Sequence, residues 1–227
     1  MTGLDESVST SNAVRAVQSQ ISYHPSTIGV YCNANFYWSG MESYVSNGCG
    51  SNPANGTPGG PFAQTGWGAQ LNSDLSVSYF TFTEYYDTYN NPGCGSHVLY
   101  WPAPTSDTTF KVKVTPAPAG SCSSGGQLAF YSGSSLTTTA CTDWQGANLV
   151  QAVAERQGAG NSMGNMSYLW TEYCSVSSGT CDPNTSPGGS PNLTDTSQTY
   201  IGYVGVPSPS WPNWTACDKY EYTSSTC

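Results

Sequence analysis

Along most of this chain, apolar and polar positions alternate with a period of two. In SVSYFTFTEYY (76–86), Phe80, Phe82, Glu84 and Tyr86 fall on one side of an extended strand, because successive side chains point to opposite faces. Comparable runs recur as TIGVYCNANFYW, HVLYWPA, TFKVKVTPA, QLAFYSG, LVQAVAE, MSYLWTEYC and TYIGYVGV, with Gly, Pro and Asn clusters such as NNPGCGS between them. Roughly nine or ten short strands punctuated in this way predict an all-β fold. The expected architecture is a β-sandwich of two antiparallel sheets, jelly-roll or concanavalin-like, forming a single domain over 26–227. Residues 1–25 read as an N-terminal arm. Within it Val14, Val17 and Ile21 recur at helical spacing and predict a short helix over 11–21. The polar stretches 46–61 and 175–197 read as long loops. In FAQTGWGAQ (62–70), Gln64 stands ahead of what reads as a Thr-Gly-Trp turn.

Composition supports strands over helices. The chain has 227 residues, 25 Gly and 15 Pro, and is rich in Ser, Thr and Asn, all poor in helix interiors. Net charge is −9 with only five Lys plus Arg, which argues against nucleic acid and against an anionic membrane surface as partners. No run of about 18 apolar residues suggests a membrane span. The sequence pI of about 4.2 fits an acidic working environment.

Nine cysteines accompany only two histidines, His24 and His97, and no C-x-x-C pair occurs. Disulfides in an oxidising compartment are therefore expected, and a zinc site is not. Nearest-neighbour pairing would join Cys32–Cys49, Cys122–Cys141 and Cys174–Cys181, leave Cys94 for Cys217 or Cys227, and strand one thiol. Residues 1–22 lack the apolar core of a leader peptide, so the chain is read as the mature form of a secreted, extracellular protein.

Candidate chemistry narrows quickly. No G-x-S-x-G surrounds a serine, and neither histidine lies in a triad motif. Two carboxylates could pair as in glycosidases, and Glu84, Glu155 and Glu172 are the strand-borne acids available. Glu155 closes the run NLVQAVAERQG (148–158), where Gln151, Val153 and Glu155 share one face. Arg156 belongs to the other face, so an intrastrand ion pair does not account for the acid.

The Q-T-G of residues 64–66, the aromatic strand carrying Glu84, and the later V-A-E ending at Glu155 resemble the eqolisin-type glutamic peptidases. The segment QTGW…YFTFTEYYDTYNNPGC is also similar to the neprosin-type glutamic peptidases, which have an acid where this chain has Gln64. The likeness covers about residues 60–96 and 148–157. It departs at Arg156, where the family has a large apolar residue, and at TEYYD, where the family has YEWYP. The resemblance implies a β-sandwich hydrolase, an acid-active endopeptidase without cofactors whose substrate is a polypeptide. Gln64 and Glu155 would form the catalytic dyad, the acid activating water and the amide holding the oxyanion. Glu84 would support them, and Trp67 and Tyr86 would line the substrate cleft. The alternative is a non-catalytic extracellular β-sandwich, either a carbohydrate-binding module or a surface filament subunit. It draws on the 13% aromatic content.

Overall fold

The computed structural model describes residues 2–7, 14–42, 62–86, 96–123, 126–142, 146–147, 149–157, 161–162, 166–175 and 214–216. In these segments the alternating pattern is realised as two six-stranded sheets. The first sheet contains β1 (Thr2–Ser7), β3 (Ala34–Glu42), β4 (Phe62–Leu71), β5 (Val77–Tyr86), β6 (His97–Pro102) and β10 (Leu149–Arg156), in the order β1-β10-β3-β4-β5-β6. The second contains β2 (Val14–Ile21), β7 (Thr108–Pro116), β8 (Gly126–Ser132), β9 (Ser135–Thr142), β11 (Met166–Ser175) and β12 (Trp214–Ala216), in the order β12-β11-β2-β7-β8-β9. Every pairing between these strands is antiparallel, so the two-sheet all-β expectation holds.

The sheets meet through their inner faces. Tyr37, Met41, Ala63, Trp67, Val150, Ala152 and Ala154 of the first sheet join Val17, Ile21, Phe110, Val112, Leu128 and Phe130 of the second in one buried cluster. Fully burying a side chain of this size contributes about 1.5–3 kcal/mol, so this layer carries most of the cohesion. Two of the polar side chains inside it are paired with backbone carbonyls. Trp67 donates its indole N–H to Ser22 O at 3.1 Å, and Ser39 Oγ donates to Phe110 O at 3.1 Å.

Three local expectations are corrected. Residues 14–21 form β2, a strand between β11 and β7, and no helix. Val17, Ser19 and Ile21 alternate in register against Val112, Phe110 and Thr108. The β2–β11 pairing slips at Ala16/Val14, and such an irregularity resets the phase of a strand. Val14 and Val17 therefore both face the core although three positions apart, a spacing that imitates a helix. Residues 62–71 form the ten-residue strand β4 and no turn. Its glycines mark places where another group approaches too closely for a side chain. A Cβ on Gly66 would lie 1.9 Å from Tyr37 O, and one on Gly68 would lie 2.9 Å from the Phe80 ring. The third correction is covalent. The Cys122–Cys141 bond forms as expected, but Cys32 is an exposed free thiol and is not joined to Cys49. The other expected pairings, the strand at 199–206 and the loop at 176–197 lie outside the described residues.

Candidate active site on the outer face of the first sheet

The face of the first sheet turned away from the second is as aromatic as the core. Trp38, Phe62, Phe80, Phe82 and Val153 form a second buried cluster, with Phe36 and Tyr86 packed against it. Edge-to-face contacts run through it, including Phe36 against Phe82 at 5.1 Å and Trp38 against Phe62 at 5.7 Å. Such geometry suits the quadrupoles of aromatic rings. Glycines on β3 and β4 make room for the rings, since a Cβ on Gly40 would lie 3.1 Å from the Trp38 ring.

A polar row crosses this apolar face. The register sets Asp5 opposite Gln151, Gln151 opposite Gly40, Gly40 opposite Gln64, and Gln64 opposite Glu84. Directly opposed residues share a face, so Gln151, Gln64 and Glu84 project together, with Gly40 leaving the space between the two amides clear. Gln64 Nε2 donates to Glu84 Oε2 at 2.6 Å. Gln64 is 6% exposed, while Glu84 is half-buried. The adjacent row holds Glu42, Phe62 and Tyr86, and Glu42 is buried as well. Desolvation, followed by the nearby Glu42 and Glu84 carboxylates, raises the Tyr86 phenol far above its ordinary range. Tyr86 is therefore a neutral O–H donor at any working pH.

The expected site residues do not all come together. Gln64, Glu84 and Tyr86 share this face. Glu155 lies on the same face but four residues further along β10, in the row of Phe36 and Gly68. Two strand spacings and four residues put its backbone about 16 Å from that of Gln64, too far for the two to hold one water. The Glu155 carboxylate accepts from Gln157 Nε2 at 3.1 Å instead. The residue across Gly40 from Gln64 is the amide Gln151. Trp67 is three positions from Gln64 along a strand and so points the other way. It is fully buried in the inter-sheet core against Tyr37 and Tyr23, which corrects its expected place in the cleft. Glu172 is on β11 of the second sheet, opposite Gln18.

The remaining titratable candidates stand apart. His24 is exposed, and His97 stacks on Tyr85 at 5.2 Å. Among the described residues no group of three or more His, Cys, Asp or Glu side chains is arranged to hold a metal ion. Reading the sequence missed Trp38, Gly40, Glu42 and Gln151. The alternation in YWSGME (37–42) contains a signal for the first three, because it puts Trp38, Gly40 and Glu42 on one face.

No family model matches the chain, and no curated protein does. Among solved structures the chain is similar to SCP-B, described as a member of the Eqolisin family of peptidases and in a complex with the tripeptide Ala-Ile-His. The two share 10% identity over 96% of this chain and 96% of that chain, with a TM-score of 0.46.

Proposed function

We propose that the outer face of the first sheet hydrolyses peptide bonds, with Glu84 and Gln64 as the working pair. The observation that carries this reading is the 2.6 Å hydrogen bond from Gln64 Nε2 to Glu84 Oε2 on a face lined with aromatic rings. It supports a division of labour that peptide hydrolysis needs. Glu84 is the half-buried member, so its Oε1 can take a proton from an attacking water while Oε2 stays fixed by Gln64. The water oxygen adds to the substrate carbonyl carbon. The second amide hydrogen of Gln64 is then free to donate to the oxyanion that develops. As the C–N bond breaks, the proton held by Glu84 passes to the leaving amine, which returns the site to its starting state. In this reading the enzyme is an endopeptidase acting outside the cell in an acidic medium. The Cys122–Cys141 bond and the net charge of −9 speak for that setting.

Turnover of acid-denatured casein at about pH 3.5 tests the assignment. Glu84→Gln is expected to lower the rate at least about a hundredfold, and Gln64→Ala about 100–1,000-fold, the usual loss for one oxyanion donor. Glu155→Gln is expected to turn over normally. Full activity in Glu84→Gln sinks the reading, and loss in Glu155→Gln alone returns the base to the acid that the resemblance implies.

One observation favours a second reading, a site that binds polypeptide without cleaving it. The position facing Gln64 across Gly40 holds Gln151 and no acid. Binding of casein by the unmodified protein, with no product on prolonged incubation, would establish this alternative.

A further inference from the structure

Three polar atoms on this face are buried without a hydrogen-bond partner: Gln64 Oε1, Trp38 Nε1 and Tyr86 Oη. Buried polar groups are nearly always satisfied, and those that are not call for an explanation. Here the three orphans occupy one patch. They lie on the neighbouring strands β3, β4 and β5, spread over three successive rows of the register. The Trp38 ring leans over Gly40 beside Gln64. Phe62 touches both other rings, meeting Trp38 at 5.7 Å and stacking on Tyr86 at 5.4 Å. Trp38 is 4% exposed and Gln64 is 6% exposed, whereas Glu84 and Tyr86 are half-buried. Glu84 and part of Tyr86 therefore meet solvent along β5, at the edge of the patch, with the three orphan atoms beneath.

The chemistry of the three atoms is complementary to a peptide backbone. An indole N–H can only donate, the neutral Tyr86 hydroxyl has a proton to give, and Gln64 Oε1 can only accept. An extended chain offers carbonyl oxygens to the two donors and an amide N–H to the acceptor. Sugar hydroxyls both donate and accept, so the choice of a polypeptide follows from the reading of this face as a peptide-hydrolysing site. We infer that Trp38 Nε1, Tyr86 Oη and Gln64 Oε1 form a backbone clamp that seats an extended polypeptide beside Glu84, with Trp38 and Tyr86 as positioning residues. The inference rests on the reading of this face as a polypeptide site, and it extends that reading to residues that do no bond-breaking. Gly40 belongs to the clamp by what it lacks. A Cβ there would lie 3.0 Å from Gln64 Cβ and would crowd the Trp38 ring.

The test is binding of a labelled, end-blocked pentapeptide of alanine and phenylalanine, read by fluorescence anisotropy on Glu84→Gln protein so that nothing is consumed. Trp38→Phe and Tyr86→Phe each keep the ring and remove one donor. Each is expected to weaken binding about tenfold, as loss of one hydrogen bond to a ligand does. In the protein with Glu84 intact, the same changes should raise KM more than they lower kcat. An analogue with one amide replaced by an ester lacks an N–H for Gln64 Oε1 and should bind the parent more weakly. A purely structural role predicts a different pattern, with stability falling and affinity following it. Removing an unpartnered hydroxyl should leave the thermal midpoint of Tyr86→Phe unchanged or higher. Parent-like affinity in both variants overturns the clamp while leaving hydrolysis by Glu84 intact. Binding that depends on Trp38 and Tyr86 without any cleavage by the unmodified protein keeps the clamp and removes the hydrolase.

Discussion

Tyr168 shows how a single residue holds the site from behind. It lies on β11 of the second sheet, yet its hydroxyl donates to Val153 O and accepts from Trp38 N at 3.2 Å. Trp38 and Val153 are register partners on β3 and β10, so the hydroxyl is inserted into the backbone ladder of the opposite sheet. Desolvation is the main reason that its phenol is raised well above the ordinary value. Tyr168→Phe would leave a buried N–H and a buried C=O without their partner. The expected cost is about 1–3 kcal/mol, seen as a lower urea midpoint with an unchanged slope. An unshifted midpoint would mean that β3 and β10 simply close onto each other. At the same scale, Glu84 was legible as an anomaly from sequence, because an acid on a Phe80–Phe82–Tyr86 face calls for a polar partner. Trp67 was not, because its orientation depended on whether residues 62–70 turn or run straight.

At the scale of elements, β4 decides the geometry of the site. It is flanked by β3 and β5, and it carries Gln64 outward and Trp67 inward. Gly66 and Gly68 disguise it as a turn in the sequence, since glycine is the commonest turn residue. In the folded sheet they are points of close approach. Gly66→Ala would drive a Cβ to 1.9 Å from Tyr37 O, a backbone atom that cannot rotate away. Gly40→Ala would meet its nearest atom, Ala63 O, at 2.9 Å. Thermal melts of the two variants should rank them, with Gly66→Ala losing at least the roughly 1–3 kcal/mol of an overpacked site and Gly40→Ala losing less. A reversed order would show that β3 and β4 are more loosely paired than the register implies. β2 makes the complementary point. Its apolar positions were correctly recognised, but one slip in pairing converted a strand's alternation into a helix-like spacing.

For the whole molecule, the distribution of tyrosines sets the response to alkali. Burial raises the phenols of Tyr23, Tyr86, Tyr131 and Tyr168 above 10.0, their ordinary value. A group whose pKa is higher folded than unfolded keeps its proton in the native state while the unfolded chain loses it. The stability linked to these protons is fully present below about pH 10 and is lost as pH rises above it. Denaturant midpoints should thus be insensitive to tyrosine ionisation from neutral pH up to about 10 and should fall beyond it. Tyr86→Phe should flatten that fall. A midpoint constant through the alkaline range would indicate that these hydroxyls reach solvent.

The alternation of apolar and polar residues determined on its own that this chain forms strands, that the strands have two distinct faces, and that Glu84 shares its face with aromatic rings. Those properties are local, because a strand's faces follow from its own period of two. Which residue stands opposite which was decided only in the folded molecule. Register depends on how segments distant in sequence slide against one another, and every two-residue shift preserves the faces while changing every partner. The sliding that actually occurs puts Glu84 and Gln151 in the row of Gln64 and sets Glu155 two rows away.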